Sequence, residues 1–466
     1  MENKNSSAQA EIQYNNPLGY EKISKLLYKF SVPAIIGMTV NALYNVVDRI
    51  FIGNSPDLGA NGLAAITICF PAMIIIMSVG ILLGQGGATL FSISLGKGDN
   101  ETADRTLGNA TSMLLILGAL ITVFGSLFLD KLLVLFGASE TVLPYAEKYM
   151  RIIFLGTLFQ VIGMGMNNFL RADGKPKLSM ATMFIGAGIN IILDPILIYG
   201  FRMGMSGAAI ATITSQFISM VWSIHHFLKK DAMHRIQKKY MKLDFKLCRQ
   251  IISLGMPGFI LQLANSSLAL LLNSYLLRYG GDIGVSAMGI VNSLMTLLIL
   301  PVIGLNQGLQ PIVSFNYGAE KHDRVKKAVK IAMIAGVIIT TIGFMLSHLI
   351  PNLLVSMFNR EPVLLKSGVH ALKLWTLCLP VAGFQIIGAN FFQAIGMPKR
   401  AMFLTLMRQV IALMPCIVIL APIMGIDGIL LAAPIADALS AFVTAMFFFP
   451  FMKKFTKKAP PLETAN

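Results

Sequence analysis

The chain has 466 residues, of which 55% are hydrophobic and only 13% charged, with a mean hydropathy of +0.70 and a formal net charge of +16. A soluble protein of this size carries roughly 25% charged residues, so the composition excludes an ordinary water-soluble domain. The net positive charge invites a nucleic-acid reading, which the placement of the basic residues along the chain then excludes.

Residues 1–20 are polar and contain no apolar stretch of the kind a secretory signal needs, so the N-terminus is expected to stay in place. A hydrocarbon core about 30 Å thick requires roughly 20 apolar residues per helical crossing. Twelve segments meet that length: 30–53, 62–94, 107–130, 148–170, 178–200, 204–228, 251–277, 284–316, 328–350, 368–394, 400–424 and 428–452. Spans this apolar must be helices, because an open sheet edge has no hydrogen-bond partners in lipid. The first span carries Pro33 and Asp48, and the second the glycine-rich run GILLGQGGATL, read as a close helix-packing surface. No P-loop pattern occurs anywhere. The fifth span carries Asn190, Asp194 and Pro195, and the sixth carries Thr212. Span 7 offers Gln262, Asn265 and Asn273, span 10 offers Gln385 and Asn390, and the last two spans hold Arg408 and Asp437. Cys69, Cys248, Cys378 and Cys416 form no C-x-x-C pair and read as small buried hydrophobes. The six histidines lie near span ends or in loops, and none forms an H-E-x-x-H site, so nothing supports an intramembrane enzyme.

With the N-terminus placed in the cytoplasm, most of the 38 Lys and Arg residues fall on one side of the membrane. The densest cluster, KKDAMHRIQKKYMKLDFKLCR, lies between spans 6 and 7, and KHDRVKK and KKFTKK follow on the same side. This is the positive-inside pattern of an integral membrane protein. It predicts a multi-pass protein of the inner (cytoplasmic) membrane with both termini cytoplasmic, its charge facing the bilayer surface rather than nucleic acid.

The chain repeats itself. FLRADGKPKLSM (169–180) matches FFQAIGMPKRAM (391–402) at a spacing of 222, and the same spacing relates Gln85 and Gly86 to Gln307 and Gly308. With small length changes, the stretch from Phe30 to Pro33 pairs with Leu254 to Pro257, and Met203 to Gly207 with Met424 to Gly428. The expected organisation is an N-terminal six-helix bundle (1–228), a basic cytoplasmic linker (229–250) and a C-terminal six-helix bundle (251–466) with a short tail. Six spans per repeat give both halves the same topology, related by a pseudo-two-fold axis along the membrane normal. Two such bundles rocking about a central cavity make a transporter-like, all-α polytopic architecture.

An ionisable side chain inside a span is costly, and is a functional hypothesis by default. Of the 22 Asp and Glu residues, only Asp48, Asp194 and Asp437 fall inside spans. Asp48 and Asp194 each lie five or six residues before the outer end of their span, roughly 7–9 Å below the boundary at 1.5 Å per residue. Asn190 shares a helical face with Asp194, and Thr212 enters span 6 at a similar depth. Pro195 lacks an N–H and displaces the carbonyl of Ile191. Oxygens so arranged would suit a hard cation, and two acids crowded in low dielectric would also hold a proton. The competing structural readings are a kink cap at Asp194 and an ion pair between Asp48 and Arg49. Asp437 is expected to pair with Arg408.

These residues resemble the MATE family (multidrug and toxic compound extrusion) along essentially the whole chain. The resemblance is carried by Pro33, VDRIFIG around Asp48, QGGATLFSISLGKGD (85–99), LRADGKPK (170–177), NIILDPILIYG (190–200) and GMSGAAIAT (204–212). It implies an antiporter exporting organic cations against inward flow of Na⁺ or H⁺, with no further cofactor. In the DinF-type branch the N-lobe cation site is formed by residues matching Asp48, Asn190, Asp194 and Thr212. In the NorM-type branch, acids in spans 7 and 10 carry the coupling. Here Gln262, Asn265 and Asn273 supply only a neutral C-lobe polar lining, and Gln385 and Asn390 are likewise uncharged. The NIILDPILI segment is similar to the MepA-like bacterial branch. Two rivals follow: a lipid-linked precursor flippase, which would need a cationic cavity, and a non-transporting receptor or scaffold, which would not need paired intramembrane acids.

Overall fold

The computed structural model describes residues 16–55, 58–229 and 232–455. Of the described residues 88% are helical and none lies in a strand. Among the described residues, ten helices are long and apolar enough to cross a membrane. One of them, Phe245–Gly318, passes through a non-helical Gly281 (φ 58°, ψ −160°) and therefore contains spans 7 and 8. Span 10 is a broken pair, Pro362–Trp375 and Leu379–Ala394, bent by 51°. The twelve spans expected from the sequence are thus all present. The helices extend beyond the apolar windows, as in Ile23–Gly53 for span 1 and Leu143–Ala172 for span 4. Membrane-facing surface is visible as apolar stripes: Ile334, Ile338, Ile342 and Met345 line one exposed side of span 9. Such a stripe suits lipid rather than water.

The repeat read from the sequence returns in the backbone. Gly174 (φ 77°) and Gly396 (φ 81°) take the same left-handed conformation in the turns after spans 4 and 10, as do Gly204 and Gly425 before spans 6 and 12. These turns need residues without a Cβ, which is why the motif keeps glycine in both halves. The position paired with Gly98 (φ 76°) is Glu320 (φ 56°), a left-handed residue that carries a side chain.

The chain divides into two compact units, and the division runs through spans 1 and 7 rather than between the repeats. Among the described residues, one unit contains Ile36–Phe259; the other contains Glu21–Ile35 and residues 260–455. The basic segment and the first part of span 7 therefore pack with the first unit, and the start of span 1 with the second.

Glycine contacts hold these exchanged segments. In the first unit a Cβ on Gly255 would sit 1.8 Å from the Leu82 carbonyl oxygen, and one on Gly86 would sit 2.1 Å from that of Ile251. In the second unit Gly308 meets the Ser31 backbone, and Gly304 that of Ile35. The glycine-rich run of span 2 is thus a close helix-packing surface, as its composition suggests. Gly255→Ala is expected to lower stability by about 1–3 kcal/mol through overpacking against backbone. The check is the thermal midpoint of the detergent-purified protein; an unchanged midpoint would contradict this close approach.

Candidate functional site

The first unit brings four helices to one buried polar cluster. Asp48 lies five residues before Gly53, the last residue of its helix, as its sequence depth requires. Asp194 is the penultimate residue of the helix Pro176–Pro195, after which Ile196–Gly200 continues as a π-helix. Pro195 cannot donate to the α-helical ladder, and the wider π-turn follows directly. π-Helical turns are frequent at functional sites. Tyr199 in this turn donates from its hydroxyl to the Phe51 carbonyl at 2.6 Å, tying span 5 to the end of span 1. Gly207 of span 6 lies against the Leu197 backbone, so spans 5 and 6 approach closely beside the acids.

Within the cluster, Asp194 and Asn190 are fully buried. Asn190 Nδ2 donates to Asp194 Oδ1 at 3.4 Å. Asp48, half-buried, lies close enough to Asp194 for the two carboxyls to interact directly, through charge and through a hydrogen bond when one carries a proton. Three buried oxygens, Asp48 Oδ1, Asp194 Oδ2 and Asn190 Oδ1, have no hydrogen-bond partner. Buried polar atoms are normally satisfied, and three unpaired acceptors here fall in one cluster. Arg49, the next residue, acts on Asp48 through its charge, and its guanidinium carbon lies 6.0 Å from the centroid of the Phe70 ring.

Thr212 is buried, and its hydroxyl donates to the Ala208 carbonyl at 3.0 Å. Tyr149 of span 4, fully buried, lies near both Thr212 and Asp48. Tyr44, four residues before Asp48, feels the charge of both carboxylates. The four residues singled out from the sequence are therefore brought together, with two tyrosines added. Tyr44 shares a helical face with Asp48 and was open to an i, i+4 reading. Tyr149 comes from span 4 with no local signal. The cluster contains only oxygen acceptors and an amide, a donor set for a hard monovalent cation or for a proton.

The second unit has no comparable cluster among its described residues. Gln262 is half-buried, while Asn265 and Asn273 are exposed. Gln385 is buried and donates to the Leu404 carbonyl at 3.2 Å, and Asn390 donates to its own helix at Ile386. The buried carboxylate of this unit, Asp437, accepts a hydrogen bond from Arg408 Nε and forms the ion pair expected of it. Arg408 sits in a second π-helix, Met407–Leu413.

A twelve-span helical protein with paired acids buried in one unit has the makings of a secondary transporter. The MatE family profile matches residues 33–196 and 257–418, one copy in each repeat, and the chain belongs to this family of membrane transporters. It is 27% identical over 434 residues to the multidrug export protein MepA of Staphylococcus haemolyticus, covering 93% of this chain and 95% of that one. Its fold superposes with a TM-score of 0.89 on a MOP superfamily transporter from Pyrococcus furiosus, at 25% identity over 95% of this chain and 98% of the other. The reversed polarity of that protein's binding pocket has been taken to suggest a different function. The outward-facing conformation of a multidrug resistance MATE family transporter gives a TM-score of 0.88 at 25% identity, covering 96% and 98% of the two chains.

Proposed function

We propose that the chain is a secondary active antiporter that exports small organic, often cationic, compounds in exchange for Na⁺ or H⁺. Asp48, Asn190, Asp194 and Thr212 form its coupling site, and it works in the cytoplasmic membrane with both termini inside. The observation that carries this reading is the pair of adjacent carboxylates with buried oxygens that nothing in the fold satisfies.

The physical cycle follows from charge. Two carboxylates in a low-dielectric site repel each other when both are ionised and no cation is bound. A cation or proton arriving from outside removes that repulsion and draws spans 1, 5 and 6 together. The π-turn after Pro195 supplies the local give in span 5. A ligand shifts a two-state equilibrium only by its differential affinity for the two states. The ion therefore favours the arrangement that binds substrate weakly, and its release inward restores the other. Arg408, an in-span cation that an anionic lipid-precursor pathway would draw on, is already engaged by Asp437.

Purified protein in liposomes, loaded with a fluorescent organic cation, tests the proposal under an imposed Na⁺ gradient and then under a pH gradient. Efflux accelerated by one of the two identifies the antiporter and its ion. Folded protein that responds to neither gradient would overturn the proposal in favour of a flippase or a non-transporting role.

A further inference from the structure

The basic segment between spans 6 and 7 is not a loose connection. His234 is buried, with Nδ1 3.0 Å from Asp104 Oδ1 and its ring edge-on to Phe91 at 5.3 Å. Asn109 donates to the Tyr240 carbonyl at 3.1 Å and accepts from the Asp244 N–H at 2.7 Å. Ser112 donates to the Met241 carbonyl at 2.7 Å, and Arg105 pairs with Asp244 at 2.7 Å. Gly108 lies so close that a Cβ there would be 2.5 Å from the Tyr240 oxygen. Span 3 thus takes up the polar groups of this segment and fixes its path.

The outward side has the opposite character. Phe245 is 84% exposed, Met233 70% and Leu243 48%. Interleaved with them are exposed Arg235, Lys238, Lys239, Lys242, Lys246 and Arg249. Asp244, the one acid between residues 232 and 249, is occupied by Arg105. A loop in water would present its charges and hide a phenylalanine; this one leaves both exposed. Its position accounts for that. It begins just after Leu228, the exposed last residue of span 6, and Phe245 is the first residue of the span 7 helix, so the segment joins the same-side ends of two membrane-spanning helices.

We infer that Met233–Arg249 is a docking surface for anionic phospholipid, with Phe245, Met233 and Leu243 set into the upper acyl region and the lysines and arginines on the headgroup phosphates. Apolar insertion combined with basic charge is the chemistry of interfacial membrane binding. The commitment to anionic lipid rests on charge complementarity, since each basic residue near an anionic surface favours it about five-fold. The inference needs only that the chain spans a membrane, so it stands or falls separately from the coupling site.

The test uses the full chain in vesicles of phosphatidylcholine with or without phosphatidylglycerol. Phe245→Trp is introduced into a Trp222→Phe, Trp375→Phe background, and quenching of its indole by lipids brominated high on the acyl chain is measured. The expected result is strong quenching, greater from brominated phosphatidylglycerol than from brominated phosphatidylcholine. Lys238→Gln, Lys239→Gln and Lys242→Gln together should reduce that preference by about ten-fold or more. Phosphatidylglycerol retained per protein on purification, compared between the unmodified chain and the triple variant, gives a second readout that does not depend on the tryptophan variants folding. An indole reached by aqueous iodide and not by brominated lipid would overturn the inference. So would a phosphatidylglycerol preference that survives the triple substitution.

Discussion

Asp194→Asn is expected to abolish gradient-driven export while leaving the protein as stable as the parent. The substitution keeps the shape of the side chain and removes one of two adjacent negative charges. In the native site Asp194 Oδ2 and Asp48 Oδ1 are both acceptors without donors. An Asn at 194 can donate to Asp48 and relieve the repulsion between the carboxylates, so the fold gains or is unaffected. Ion binding loses its main attraction. Moving a carrier from about 1:99 to 99:1 between its two states takes roughly 10⁴-fold differential affinity, and a single remaining carboxylate is not expected to supply it. Efflux from proteoliposomes should fall to the rate without a gradient, with the thermal midpoint unchanged or raised. Asp48→Asn should behave alike. Coupled efflux at the parent rate in both variants would remove these residues from the mechanism, and a collapse of the midpoint would make their role structural.

Arg408→Met is expected to have the largest effect on stability. Asp437 is 2% exposed and pairs with Arg408 across spans 11 and 12. Removing one partner of a buried ion pair leaves an uncompensated charge and costs about 3–5 kcal/mol. Replacing both, as in Arg408→Met with Asp437→Leu, should recover most of that loss, since well-packed apolar substitutes for a buried pair are often neutral or stabilising. Thermal midpoints of the parent, the two single variants and the double variant form a double-mutant cycle. An interaction energy near zero would mean that the pair does not couple. A double variant that is stable but inactive in export would assign the pair a part in transport.

Much of this architecture is legible in the amino-acid sequence, for a specific reason. A helix in lipid must be apolar along its length, so span number and boundaries are written in composition, and an acid inside a span stands out. The depths of Asp48 and Asp194, counted from the ends of spans 1 and 5, agree with the structure when the π-turn Ile196–Gly200 is included in span 5. The ion pair of Asp437 with Arg408 is open to the same reasoning, because a lone buried charge is untenable. Glycine in the paired turns follows from the repeat, and its left-handed backbone explains it.

Other features lie out of reach of sequence. The bend within span 10 is a backbone event inside apolar sequence. The basic segment reads as a linker in sequence, and its attachment to span 3 through Asp104, Asn109 and Ser112 depends on residues more than a hundred positions away. The exchange of the first part of spans 1 and 7 between the two units is likewise invisible to a repeat that runs in order along the chain.

By itself, then, the sequence determined a twelve-span helical membrane protein in two repeats, with two acids at matching depth in its first half. The tertiary structure decided that those acids meet, that Tyr149 of span 4 lies near them, and which glycine faces bring helices into contact. The difference has one physical cause. In water, burial of an apolar face leaves a 3.6-residue periodicity that reveals which side of a helix packs. Lipid is as apolar as a protein interior, so helix–helix contact in the membrane is driven by close packing and hydrogen bonds rather than by hydrophobic contrast. Hydropathy can therefore place a residue at a depth in the bilayer, but only the packed helices can give it neighbours.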